Sequence, residues 1–159
     1  MDNKLTDILI VGAGIVGLTL AYQIKKKFPT LNIVILEKEK DIGLHTSGRN
    51  SGVLHAGIYY KPGSIKSRVC VKGANRLKEW CKKERINLLK CGKVISPTSE
   101  RDDSLLNLLK DRGNKNGAKV EMIDNREIQK LIPGAFSYSG RALWSPNTYV
   151  VNPKDVLKK

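Results

Sequence analysis

The sequence predicts an α/β fold built on one parallel βαβ unit, with the beginning of an inserted α+β domain after it. Three observations carry that prediction. Asp7 to Glu37 reads as strand, glycine-rich turn, helix and strand. Lys38 to Gly63 is a long polar, glycine-rich stretch where a simple doubly wound fold would re-enter a helix promptly. Beyond Leu88 short strands alternate with capped helices, a different rhythm.

The first strand is the apolar run Ile8–Val11, the pattern of a strand buried on both faces. Gly12-Ala13-Gly14-Ile15-Val16-Gly17 follows at once, and Val16, Leu20, Ile24 and Phe28 then recur at helical spacing until Pro29. Ile33–Leu36 is the second buried strand, ending at Glu37. Gly12 lets the chain turn off the strand, Gly14 removes a side chain that would block a pyrophosphate, and Gly17 lets the helix pack close. The helix start offers N–H groups and a positive dipole end to phosphate. Glu37, twenty positions after Gly17, stands where a carboxylate accepts hydrogen bonds from an adenosine ribose. These residues specify a Rossmann-like dinucleotide site and leave FAD and NAD both open.

The long segment gathers Thr46, Ser47, Arg49, Asn50, Ser51, Gly52, His45, His55, Tyr59 and Tyr60. Small residues beside hydrogen-bonding ones suit close approach to an extended polar ligand. That favours FAD, whose ribityl and flavin reach beyond the pyrophosphate. Pro62-Gly63-Ser64 then reads as a turn, with Ser64 capping a helix to about Arg85. On that helix Val69, Gly73, Leu77, Trp80 and Cys81 share a face, and Trp80 and the cysteines read as packing.

A strand is expected within Lys90 to Pro97, and a helix from Ser99 to about Arg112, broken by Gly113–Gly117. A strand over Lys119 to Ile123 follows, then a short helix under an Asp124–Glu127 capping box. Arg141 to Ser145 is a last strand, and Asn152-Pro153 opens a last helix. The domain expectation is therefore a first cofactor-domain segment over 1–88, the start of a substrate domain over 89–149, and a return toward the cofactor domain over 150–159. Only two strands of the parallel sheet are legible, too few to cover both their faces, so the chain reads as truncated and inactive by itself.

The 159 residues carry 29 Lys and Arg against 15 Asp and Glu, a net charge of +14. The basic residues are spread along the chain with few aromatics among them, the pattern of a solvated surface and not of a nucleic-acid groove. The excess still suits an anionic cofactor, an acidic substrate or an anionic membrane surface. Met1–Lys4 lacks a signal-peptide layout and no apolar run approaches spanning length, so the expected location is cytoplasmic, with peripheral attachment at the inner membrane face open. Cys70, Cys81 and Cys91 lack metal-ligand spacing and read as reduced thiols.

The stretch Thr46-Ser47-Gly48-Arg49-Asn50-Ser51-Gly52-Val53-Leu54-His55-Ala56-Gly57-Ile58-Tyr59-Tyr60-Lys61-Pro62-Gly63-Ser64 resembles the signature of the L-2-hydroxyglutarate oxidases and dehydrogenases. These are FAD enzymes of the D-amino-acid-oxidase-like superfamily. The likeness continues through Cys70–Gly73, Cys91–Lys93 and Val150–Asn152. Two positions depart from it: Arg49 stands where histidine is commoner, and Val151-Asn152-Pro153 replaces an acid-containing version.

The resemblance implies oxidation of the C2 alcohol of L-2-hydroxyglutarate to 2-oxoglutarate, with electrons passing on to oxygen, a quinone or another acceptor. Related FAD enzymes act instead on amines, amino acids or glycerol phosphate. It implies FAD contacts from Gly12, Gly14, Gly17, Glu37, Thr46, Ser47, Asn50, Ser51 and Gly52. His55 is the candidate for proton transfer or substrate contact, with a structural loop histidine as the alternative. Arg49 is the candidate for a substrate carboxylate or reduced flavin, with a surface or pyrophosphate contact as the alternative, and Tyr60 for the flavin pocket, where it could equally be packing.

Overall fold

The computed structural model describes residues 5–159, and the signal-peptide reading of Met1–Lys4 lies outside them. The chain divides into two compact units: residues 1–52 with 152–159, and residues 53–151.

In the first unit β1 (Ile8–Val11), α1 (Ile15–Lys27) and β2 (Ile33–Leu36) form the expected βαβ. The strands run parallel, with Ile8 beside Ile33 and Val11 beside Leu36. Asp7 accepts the Asn32 N–H at 2.7 Å and fixes the entry into β2. α1 ends where Phe28 N–H bonds Ile24 carbonyl, one residue before Pro29. α6 (Pro153–Leu157) starts at Asn152, whose side chain accepts the Lys154 N–H, and buries Leu157.

The strands are not buried on both faces. Ile10 and its neighbours on one face lie under α1, whereas Leu9 and Val11 are 55% and 82% exposed. Val34 and Leu36 share that open face. The reason is geometric: among the described residues this sheet has two strands and one covering helix, so successive side chains alternate between cover and solvent.

The second unit holds two antiparallel sheets. One has the order β3 (Val53–Leu54), β8 (Tyr149–Val151), β4 (Leu88–Lys90); the other β5 (Lys93–Ile95), β7 (Arg141–Ser145), β6 (Glu121–Asp124). α2 (Ile65–Lys83) begins as expected at Ser64, whose hydroxyl accepts the Ser67 N–H at 3.2 Å. β5 lies within the strand expected over Lys90–Pro97, and β4, not expected from the sequence, precedes it across Cys91-Gly92. Gly92 takes φ +70°, and a Cβ there would strike the Trp144 ring.

The Ser99 helix is likewise two pieces, α3 (Glu100–Ser104) and α4 (Leu106–Lys115), parted at Leu105. Gly113 does not end α4; it sits inside it, buried, because Val120 and Ile58 leave no room for a side chain. The Asp124–Glu127 capping box opens α5 (Asn125–Leu131) with both reciprocal bonds present.

One core cluster joins Ile58, Leu106, Ala118, Val120 and Leu143; another joins Ile123, Ile128 and Ala142. Arg141 reaches α3 through two bonds to Asp103, Nε–Oδ1 at 2.8 Å and Nη2–Oδ2 at 2.6 Å. This fork pulls the Asp103 carboxyl down to about 2, with the Ser139 hydroxyl adding to the effect.

Candidate cofactor site

Gly12 leaves β1 at φ +100°, a conformation that favours glycine, and the space beside it is open. At Gly17 a Cβ would collide with the Gly12 carbonyl oxygen, so α1 can start this close to the turn only with glycine. A Cβ on Gly14 would meet the Ser47 hydroxyl at 3.1 Å. Gly14 is also the N-cap of α1, with no side-chain cap and no acid in the first turn. The helix start therefore presents donors to an incoming anion.

Glu37 sits at the end of β2. Its Oε2 accepts the Ala13 N–H at 2.8 Å and its Oε1 the Glu39 N–H at 3.0 Å. The Glu39 N–H, the Ala13 N–H and, further off, His45 hold this carboxyl below its ordinary range, so it is ionised at neutral pH. His45, exposed, pairs with Glu39 at 2.9 Å.

The loop over 38–52 is tied to the glycine turn. Gly43 N–H bonds the Ala13 carbonyl at 3.1 Å, and Ile15 N–H donates to the Ser47 hydroxyl at 3.0 Å. Gly43 rests on Leu157, and Gly48 on the Gly43 carbonyl, where side chains would not fit. Asn50 donates to the Thr46 and Ser47 carbonyls at 3.1 and 2.9 Å and accepts the Gly52 N–H at 2.9 Å. Asn50 is thus a brace within the loop. Thr46, Arg49 and Ser51 are exposed, while Gly52 is buried.

His55 and Tyr60 belong to the second unit. With Tyr59, Lys93 and Thr148 they border a cleft of about 10 Å³, the room of one water. Loss of hydration, and then the Lys93 ammonium, push the His55 imidazole below its ordinary value. Lys93 donates to the Tyr59 hydroxyl at 2.7 Å. The Cys70 thiol donates to the His55 carbonyl at 3.2 Å, and burial pushes that thiol up.

Asn116 donates to the Gly57 and Tyr60 carbonyls at 2.8 and 2.9 Å. Neither Asn116 nor Lys93 is a candidate on the sequence reading, because each is brought to the loop from a distant element by pairing alone.

A family model described as FAD dependent oxidoreductase (DAO) matches residues 7–159. The chain belongs to that family. FAD, favoured by the long loop after Glu37, is the cofactor by which the family is described. The open glycine turn, the helix start with only its Ile15 N–H taken by Ser47, and the ionised Glu37 fit the phosphates and ribose of such a cofactor.

The chain is 44% identical over 150 residues to a mitochondrial L-2-hydroxyglutarate dehydrogenase of Nematostella vectensis, covering 92% of this chain and 32% of that protein. It is 40% identical to the mitochondrial human enzyme of that name, over 94% of this chain and 32% of the relative. It is 38% identical to the L-2-hydroxyglutarate dehydrogenase of Indibacter alkaliphilus, over 96% of this chain and 38% of the relative. The chain thus spans about a third of the length of the curated relatives it matches.

The FAD-bound L-alpha-glycerophosphate oxidase of Mycoplasma pneumoniae superposes with a TM-score of 0.80 at 26% identity, over 96% of this chain and 40% of that one. Glycine oxidase of Geobacillus kaustophilus superposes with 0.83 at 20% identity, over 96% and 42%, a likeness of fold.

The cytoplasmic location expected from composition is overturned by these relatives, which in Nematostella and human are mitochondrial proteins. The expectation rested on the layout of the first few residues and on hydropathy, neither of which reports on import into an organelle.

Proposed function

We propose that the protein takes part in FAD-dependent oxidation of L-2-hydroxyglutarate to 2-oxoglutarate. The observation that carries this reading is the 38–44% identity to L-2-hydroxyglutarate dehydrogenases over more than nine-tenths of the chain. Gly12, Gly14 and Gly17 give the pyrophosphate access to the start of α1, and Glu37 holds the adenosine ribose. Thr46, Ser47, Asn50, Ser51 and Gly52 form the loop that continues from the pyrophosphate toward the flavin. When bound, FAD supplies the two-electron acceptor for the C2 hydrogen, and the electrons then pass to oxygen or a quinone.

The chain's own residues take the remaining tasks. His55, whose lowered value favours the neutral ring, accepts the C2 hydroxyl proton. Arg49, exposed, binds a substrate carboxylate as a planar fork, and Tyr60 borders the site beside His55. Residues 1–88 and 150–159 form the cofactor side in this reading, and 89–149 the beginning of the substrate side.

Two experiments test it. The desalted protein incubated with FAD retains protein-shifted flavin bands, and Gly14→Val abolishes them; a flat spectrum for the wild type removes the assigned cofactor role. Cells with the gene disrupted accumulate L-2-hydroxyglutarate. Accumulation of glycerol phosphate or an amino acid instead overturns the substrate assignment.

A further inference from the structure

A second candidate site lies wholly within the unit 53–151 and shares none of the residues assigned above to the cofactor or the substrate. It is an open groove of about 600 Å³ between α2 and the C-terminal end of α4. Arg68, Lys72 and Arg76 line it from α2, and Lys115 from α4. The three α2 cations fall at successive four-residue steps, so they stand in one row along the helix, about 6 Å apart in rise.

Among the described residues none of the three forms an ion pair. Lys115 is paired with Asp111 at 2.9 Å, and Glu79 is the one acid in the groove wall. Like charges four residues apart destabilise a helix, by about 0.2–0.5 kcal/mol per pair. No ion pair among the described residues relieves that repulsion, and Glu79, one turn past Arg76, lines the groove without pairing with the row. The Asn116 amide N–H₂, which also faces the groove, is committed to the Gly57 and Tyr60 carbonyls. The wall is therefore fixed, and the cations are the free groups.

We infer that this groove binds a ligand carrying more than one phosphate group. A row of three cations with two guanidinium forks matches linked or adjacent phosphates better than a single carboxylate, which would leave two of the charges unmet. Such phosphates have two sources, a soluble diphosphate or a layer of lipid headgroups. The structure offers a means of telling them apart. Ile65 and Val69, on the same side of α2 as the cation row, are 71% and 64% exposed. A soluble diphosphate makes no use of them, whereas a headgroup layer receives both.

The inference is independent of the substrate assignment. Its test uses the whole chain in three forms: wild type, the triple variant Arg68→Gln/Lys72→Gln/Arg76→Gln, and a control with the same loss of charge, Lys25→Gln/Lys26→Gln/Lys27→Gln at the end of α1. All six side chains are exposed, and circular dichroism checks that each form is folded. Binding of inorganic pyrophosphate is followed by calorimetry, and of phosphatidylglycerol-containing vesicles by co-sedimentation, both at low salt.

At least a tenfold loss of pyrophosphate or vesicle binding in the α2 variant, with the control retained, establishes the groove. Vesicle binding that is also lost in Ile65→Ser/Val69→Ser, while pyrophosphate binding persists, assigns the lipid source. Pyrophosphate binding without vesicle binding assigns the soluble one. No binding of either probe by the wild type, or equal loss in the α2 variant and the control, overturns the proposal, the latter by reducing it to net charge.

Discussion

Ala13 and Glu37 are joined by a 2.8 Å hydrogen bond from a backbone N–H to a carboxylate oxygen, twenty-four residues apart in the chain. The bond ties the end of β2 to the glycine turn and fixes the carboxylate before any ligand arrives. Removing that charge weakens FAD binding by on the order of tenfold or more, the worth of a hydrogen bond to a charged group. Fluorescence titration of FAD against Glu37→Gln measures it. The Glu37 contacts stabilise fully above the ordinary glutamate value, and the contribution fades as pH falls through the lowered folded-state value. Unchanged affinity in Glu37→Gln sinks the ribose role.

Two glycines give opposite outcomes on replacement by alanine. At Gly17 the new Cβ meets the Gly12 carbonyl oxygen, and backbone must shift. Gly17→Ala destabilises by roughly 1–3 kcal/mol, the range for overpacking. At Gly73, inside α2, nothing lies near the added Cβ. Gly73→Ala stabilises by about 0.5–1 kcal/mol. Urea midpoints of the two variants, compared with the wild type, decide both.

The Asp103–Arg141 fork gives acid stability to the second unit. Asp103 titrates at about 2 in the folded state against an ordinary 3.8. Its contribution is therefore whole above the ordinary value and disappears as pH falls through about 2. Asp103→Asn lowers the thermal midpoint at pH 7, and the difference from wild type closes as pH drops from 4 toward 2. A gap that stays constant across that window contradicts the assignment of the shift to this pair.

His55 is shifted in the same direction, but by lost hydration and a neighbouring cation and not by a paired one. Its lowered value favours the neutral ring in the fold, so stability carried by the ring is lost as pH falls below its ordinary 6.5. Burial is the larger cause and Lys93 the smaller. Lys93→Met should therefore raise the His55 value part of the way, as followed by proton NMR of the imidazole. No movement would remove Lys93 from the account.

What could be read from the sequence was local. The strand–turn–helix–strand run through Glu37, the Ser64 cap and the Asp124–Glu127 box each depend on residues within one or two turns, and each forms as expected. β3 and β8 were not legible, because two or three residues make a strand only when a partner arrives from nearly a hundred positions away. The split at Gly92 depends on Trp144, and the role of Asn116 on a loop fifty-six to fifty-nine residues earlier. The glycine turn and Glu37 declare themselves by spacing. His55 and Tyr60 come together with Lys93 only through the fold of the second unit.

The exposed side of the β1–β2 ribbon sets a contact-range apolar attraction against a longer-range charge repulsion in solution. Leu9, Val11, Val34 and Leu36 invite a second copy, while +14 charges on each molecule keep copies apart. Added salt shortens the reach of the repulsion to about 10 Å at 0.1 M and leaves the apolar attraction intact. Raising the salt concentration therefore favours association through this face, and dilute buffer opposes it.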